Sequence, residues 1–382
     1  VTTSPRVRGA DHPSDDIIAL VRELVLIETP SRDREASARI ADLLSAWFAS
    51  IGGRVHRSTH ELGTDLVIDV PGTGEPILLI GHTDTVWPVG TLDGDVPWAE
   101  EGDVVRGPGS YDMKAGIVVM LETLRQLQPL PVERRRAVRI VLVSDEEIGS
   151  PASGPLLAER ARGTACAVGF ESPHPDGALK VGRRGSARVR VAVTGRAAHA
   201  ALDPEHGVSA IDELVDQLLR VREIVADPDL PTPVLCNVGV IGGGARTNVV
   251  PAHAEAELGL RFLDSAAEDL VLTALRGLTP VRPGARVEVD VLGARPAWQA
   301  SAADAAFLAR IAGAGAAVGQ HIDGRPAAGA GDTNLLGSLG LPTVDGFGPR
   351  GGGAHARDEH FLRSSLHERI ALLRAVLTIP VE

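Results

Sequence analysis

The chain has 382 residues, 44% hydrophobic and 23% charged, with a formal net charge of −12. That length holds about two domains at roughly 100–200 residues each, so a core of ordinary size forms without disulfide staples. The acidic balance excludes the basic face that a nucleic acid or an anionic membrane requires, and no apolar run approaches the roughly 20 residues of a membrane span.

In chain order, residues 1–16 carry no apolar signal core. Residues 15–26 read as an acid-led amphipathic helix and 34–51 as a second, ended by Gly52-Gly53. Short, nearly continuous apolar runs follow at 66–70, 77–80, 140–143 and 165–170, the pattern of strands buried on both faces of an α/β sheet. Between the second and third, residues 113–127 place Ile117, Met120, Leu121 and Leu124 at helical spacing. After Gly185 the pattern changes, and 188–193 alternates strictly, as a strand with one wet face does. A helix (207–226), two strands (234–241 and 254–262), a helix (267–278) and a strand (286–292) complete a β-α-β-β-α-β order, the split ferredoxin-like unit. A helix over 301–315 then returns the chain to the first domain. The expected division is a metal-binding domain of 1–184 and 295–382, with 185–294 inserted into it. Cys166 and Cys236 lie in apolar, strand-like runs, which fits reduced, buried thiols in a cytoplasmic protein. Only Lys114 and Lys180 are lysine among the 38 basic residues, so arginine as such carries no signal.

Five constellations carry chemistry. Gly81-His82-Thr83-Asp84-Thr85 directly follows a strand, and sites in open α/β sheets form at the C-terminal ends of strands. A spacing of two along extended chain puts Asp84 beside His82, where its carboxylate can fix the imidazole tautomer. Asp112 stands where the glycine-rich run Gly107-Pro108-Gly109-Ser110-Tyr111 enters a helix; alone it also reads as an N-cap. Ser144-Asp145-Glu146-Glu147 puts three acids at a strand end, which repel one another unless cations compensate them. Glu171 ends another buried strand, and His355 lies in a glycine-rich loop near the C-terminus. Singly, each has an ordinary structural explanation. Together, two histidines and several carboxylates at the mouths of different sheet elements are the ligand types that hold a pair of divalent metals. Zinc suits the mixture, with cobalt or manganese as substitutes. One carboxylate must bridge ions about 3.5–4 Å apart, and a further acid must handle protons.

The motifs GHTDTV, GPGSYDMKAG, SDEEIGS, FES and GAHARDE resemble, in order, the metal motifs of the co-catalytic zinc exopeptidases and N-deacylases. That family includes glutamate carboxypeptidase, acetylornithine deacetylase and succinyl-diaminopimelate desuccinylase. HTDTVWPVGTL followed by RGPGSYDMKAG resembles the glutamate carboxypeptidase branch most. The resemblance implies a zinc-exopeptidase-like α/β domain, with a mixed sheet flanked by helices, and an inserted ferredoxin-like α+β lid that also dimerises. It implies two zinc ions per chain, bridged by Asp112. His82 and Glu171 would complete one site, Glu147 and His355 the other. Glu146 would be the general base, and Asp84 would orient His82.

By the same resemblance, His199 in Ala197-Ala198-His199-Ala200 would reach across a homodimer and polarise the scissile carbonyl of a substrate held at the neighbouring subunit's metal centre. The resemblance also implies that Asn248 and Arg261 would grip carboxylate or carbonyl oxygens of the substrate. Arg295 stands where glutamate carboxypeptidase has a carboxylate-binding arginine, and Arg183 where the desuccinylase has a substrate-contacting one. Asp332 would shape a glycine-rich substrate loop. The implied activity is hydrolysis of an amide bond in a small anionic N-acyl amino acid or peptide conjugate, releasing a C-terminal residue such as glutamate. A biosynthetic N-deacylase of the desuccinylase or acetylornithine deacetylase type stays open as the alternative.

Overall fold

A computed structural model describes residues 16–378. Residues 1–15, including the expected first position of the opening helix, lie outside the described residues. The chain divides into two compact units, one running to Gly182 and adding Ala300–Ala327 and the chain from Gly331 on, the other Arg183–Gln299 with Ala328–Ala330.

The first unit is built on a mixed sheet of β1 (Arg54–Thr59), β2 (Thr64–Val70), β3 (Thr73–His82), β4 (Arg136–Val143), β5 (Cys166–Gly169) and the two-residue strand Thr343–Val344. Their order is β1-β2-β4-β3-β5 and then Thr343–Val344. β3, β4, β5 and the last strand run parallel, β2 runs against β4, and β1 against β2. The apolar runs are continuous because both faces are covered. Leu66, Ile68, Ile77, Leu79, Ile140 and Leu142 pack with Leu24, Trp47, Phe48 and Met120 from helices on one side. Val67, Leu78, Ile80, Val141 and Val143 meet Leu157 and Leu336 on the other. Full burial of one such side chain contributes about 1.5–3 kcal/mol, so neither face tolerates a polar residue cheaply.

Local chemistry sets the helix starts. The Asp16 carboxylate accepts the Ile18 N–H ahead of helix Ile17–Leu26, and Asp33 does the same for Ala36 ahead of Arg34–Ser50. Ser301 and Asp304 form a reciprocal capping box on Ala302–Ala317. β1, sequence RVHRST, is mostly exposed. It has no apolar signature because it is an edge strand paired only with β2.

In the second unit, β6 (Gly185–Thr194), helix Ala210–Val225, β7 (Leu235–Gly243), β8 (His253–Phe262), helix Ser265–Arg276 and β9 (Arg286–Arg295) follow in the expected β-α-β-β-α-β order. The sheet is antiparallel in the order β7-β8-β6-β9. Val189, Val191, Val193, Leu258 and Leu260 face Leu214, Val221, Val271 and Leu275 of the two helices. That one-sided burial explains the strict alternation. Both cysteines are free; Cys166 is buried, whereas Cys236 is only half-buried because it sits on the edge strand β7. The expectation of two buried thiols therefore holds for Cys166 alone.

Candidate metal centre

Parallel pairing is what assembles the site. His82 ends β3 opposite Val143 at the end of β4, and Ile80 lies opposite Gly169 at the end of β5. The residues that leave these three strands at the same edge are Thr83-Asp84, Ser144 to Glu147, and Phe170-Glu171. A Cβ at Gly81 would lie 2.5 Å from the Met113 methyl, so a larger residue there would require that side chain to move.

Asp112 occupies the centre. It lies in the turn Ser110–Lys114 with φ −118° and ψ 91°, and the helix starts only at Ala115, so Asp112 does not cap it. One carboxylate oxygen, Oδ1, is 3.1 Å from His82 Nε2, which is also 3.3 Å from Glu171 Oε1. The other, Oδ2, is 3.3 Å from His355 Nε2, itself 3.2 Å from Glu147 Oε2. Each oxygen of a single carboxylate thus faces its own histidine–glutamate pair. Glu146 offers an oxygen within 4.8 Å of ligand atoms of His82 and Glu171.

Asp84 braces this arrangement from behind. Its backbone carbonyl is 2.9 Å from His82 Nδ1, while its carboxylate oxygen is 3.5 Å away. The carbonyl, rather than the carboxylate, is the nearer partner of the ring. The carboxylate instead accepts the N–H groups of Glu146 and Glu147 and the Ser31 hydroxyl, at 3.1, 3.2 and 2.7 Å. Asp145 turns away from the cluster, and its Oδ2 accepts the N–H groups of Ala152 and Ser153. The three consecutive acids therefore do not share one cavity.

These contacts fit divalent metals. With Nδ1–H donated to the Asp84 carbonyl, His82 presents the Nε2 lone pair to two carboxylates, and only a proton or a cation can join such groups. Glu147 Oε1 is buried with no hydrogen-bond partner among the described residues, an arrangement that costs about 1–3 kcal/mol unless something coordinates it. Without metal, protons take that place. Hydrogen bonds donated to the Asp112 and Glu147 carboxylates push His355 up to about 10. Burial works against the charged form of His82, yet its hydrogen bonds to Asp112, Asp84 and Glu171 raise it well above the usual imidazole range. Burial raises Asp112, but the two histidines outweigh it and leave the carboxyl far below the usual range.

A pH dependence follows. Below the raised histidine values a metal ion that takes both rings displaces protons from them, so loading the metal-free protein at pH 7 is expected to release protons. Affinity rises with pH, and the part due to His355 levels off only near pH 10. Calorimetric titration with zinc in buffers of different ionisation heat measures this release directly; no release would mean that both rings are already neutral in the metal-free protein.

The second unit holds the other sequence-derived candidates. His199 is exposed, and its Nδ1 accepts the N–H groups of Ala201 and Leu202 at 3.2 and 3.1 Å. This leaves the proton on Nε2, which becomes a donor. Asn248 lies beside it, its carbonyl accepting the Ala200 N–H at 3.0 Å. Arg261 and Arg295 both pair in register with Ser186, on β8 and β9 either side of β6. Cross-strand partners share a face, so the two arginines stand on one face at one end of the sheet. Arg183 is buried, and its Nε donates to the Gly329 carbonyl at 2.7 Å. In the first unit, Asp332 accepts the Ser150 hydroxyl, tying the glycine-rich loop to the loop of Glu146 and Glu147.

The sequence profile of peptidase family M20/M25/M40 matches residues 78–378. Carboxypeptidase G2 of Pseudomonas sp. (strain RS-16) is 30% identical over 369 residues, 94% of this chain and 88% of that protein. A putative succinyl-diaminopimelate desuccinylase DapE of Mycobacterium tuberculosis (strain ATCC 25618 / H37Rv) is 29% identical over 361 residues, covering 92% and 96%. Among solved structures, the aminopeptidase PepT of Bacillus cereus aligns with a TM-score of 0.75 at 22% identity, over 97% of this chain and 99% of that one.

Proposed function

Since the chain belongs to peptidase family M20/M25/M40, we propose that it is a two-metal amide hydrolase acting on small anionic N-acyl amino acids or peptide conjugates and releasing a C-terminal amino acid such as glutamate. The observation that carries this reading is Asp112, whose two oxygens each face a different histidine–glutamate pair. His82, Glu171 and Asp112 would hold one ion, and His355, Glu147 and Asp112 the other. Zinc is the proposed metal, with cobalt or manganese as substitutes. Bound there, the pair supplies Lewis acidity to the scissile carbonyl and to water.

The rest is done by the chain's own groups. Glu146 takes a proton from the attacking water and delivers it to the leaving amine nitrogen as the C–N bond breaks. Asp84 is a positioning residue, holding His82 and the backbone of Glu146 and Glu147. His199, with its proton on Nε2, donates to the carbonyl oxygen as that oxygen turns negative. Asn248, Arg261 and Arg295 bind carboxylate or carbonyl oxygens of the substrate, a task that suits arginine's planar fork. Arg183 contributes to substrate binding through the glycine loop that it holds.

The second unit acts as lid and dimerisation domain. β7 is a free sheet edge with Leu235, Val240 and Ile241 exposed, and helix Ala210–Val225 exposes Ile211, Val215 and Leu219 at a helical repeat of four. An apolar surface beside an open edge suits a second copy of the chain across a two-fold axis. Among the described residues no helix is long and apolar enough to cross a membrane. The two free thiols favour the cytoplasm.

The desuccinylase reading competes because a putative desuccinylase covers nearly the whole chain at similar identity. A hydrolysis screen of zinc-loaded protein against N-acyl glutamates, N-succinyl amino acids, N-acetylornithine and dipeptides separates the two. Turnover confined to N-succinyl substrates would overturn the carboxypeptidase assignment, and turnover of none would overturn both. The role of His199 across the dimer has its own test, mixing His199→Ala with Glu146→Ala chains. Hybrid dimers then contain one site with both groups intact, and the activity of the hybrids returns toward half that of wild-type dimers. Hybrids as inactive as their parents would exclude action across the dimer.

A further inference from the structure

Glu359 takes no part in the chemistry above, yet it is 1% exposed and accepts four hydrogen bonds. Oε1 accepts the N–H groups of Tyr111 and Asp112 at 3.0 and 3.2 Å. Oε2 accepts the Gly109 N–H at 3.0 Å and the Trp87 indole N–H at 2.6 Å. Two donors on each oxygen fill a carboxylate's capacity. Three of those donors are backbone groups of Gly109, Tyr111 and Asp112, at and just before the turn that carries Asp112. That turn needs its glycine, because Gly109 has φ 68° and a Cβ there would lie 2.4 Å from the Thr85 methyl. Glu359 also sits four residues after His355 in the same tight loop. His355 holds a positive φ of 62° there, and a Cβ on Gly353 would meet the Asp358 backbone at 2.8 Å.

One buried carboxylate therefore joins the Asp112 turn to the His355 loop. On the two-metal reading above, we infer that Glu359 is a positioning residue that fixes Asp112 relative to His355 and so sets the affinity for the ion held by His355, Glu147 and Asp112. That ion would draw two of its three ligands from the segments Glu359 ties together. The ion at His82 and Glu171 draws only Asp112 from them, since its other ligands ride on β3 and the end of β5. Glutamine at 359 would remove the charge and turn an amide NH₂ toward backbone or indole N–H groups, leaving donors unpaired. The loss should fall unequally on the two ions, which a general loosening of the fold would not produce.

The experiment is a zinc titration of metal-free wild-type and Glu359→Gln protein against a chromophoric chelator, with hydrogen–deuterium exchange of residues 109–112 in the metal-free state. Wild type binds two ions. Glu359→Gln is expected to hold the first at near wild-type affinity and to bind the second about 10–100-fold more weakly, the usual effect of losing an outer-shell partner. Exchange at 109–112 quickens, and Glu359→Asp recovers part of the affinity. Two ions bound as in wild type, with unchanged exchange, overturn the inference. Equal weakening of both ions does so too. Fewer than two ions in wild type would instead count against the two-metal reading itself. If Glu359→Gln does not fold, Trp87→Phe, which deletes one donor, takes its place. A selective, smaller loss at the second ion supports the role, and unchanged affinity overturns it.

Discussion

Asp112→Ala is expected to abolish binding of both metal ions and, with them, turnover. The reason is geometric. Each of the other four proposed ligands would serve one site, whereas Asp112 sends Oδ1 toward His82 and Oδ2 toward His355. Removing it leaves each site with one histidine and one glutamate. The loss of affinity should therefore exceed the roughly 10–100-fold that follows deletion of an outer-shell partner. Elemental analysis should fall from two ions per chain to none, while Glu171→Ala and Glu147→Ala should each keep one. An Asp112→Ala protein that retains two ions would remove Asp112 from the site.

Glu146→Ala separates the proton transfer from the metal. Glu146 lies near the ligand atoms of His82 and Glu171 without bridging the two histidines, and its backbone N–H is held by Asp84. Because Asp84 accepts the backbone N–H groups of both residues, Glu147 is expected to keep its place in the variant. The variant should keep two ions and a near-normal KM, and lose about 10²–10⁴-fold in kcat, the contribution of a positioned general base. Glu146→Gln should behave alike, since the amide cannot accept the water's proton. A kcat within a few-fold of wild type would assign the proton to another group.

Much of this is legible in the sequence, for reasons particular to each element. The parallel strands announce themselves because both faces are buried, and their C-terminal ends carry His82, Glu147 and Glu171 as the rule for α/β sheets requires. The second unit's order is readable because its sheet is covered on one side only. β1 escapes notice because an exposed edge strand needs no apolar residues. Asp112 is ambiguous between cap and ligand until the turn Ser110–Lys114 is seen to delay the helix to Ala115. The three acids at 145–147 look equivalent in sequence, and only backbone direction sends Asp145 away to Ala152 and Ser153. Glu359 is visible as a letter in GAHARDE, but its role depends on donors about 250 residues earlier, which spacing cannot reveal.

Anomalous diffraction from crystals of zinc-loaded protein tests the central claim most directly. Two peaks are expected about 3.5–4 Å apart, one among His82, Glu171 and Asp112, the other among His355, Glu147 and Asp112. A single peak, or two peaks that do not share Asp112, would contradict it.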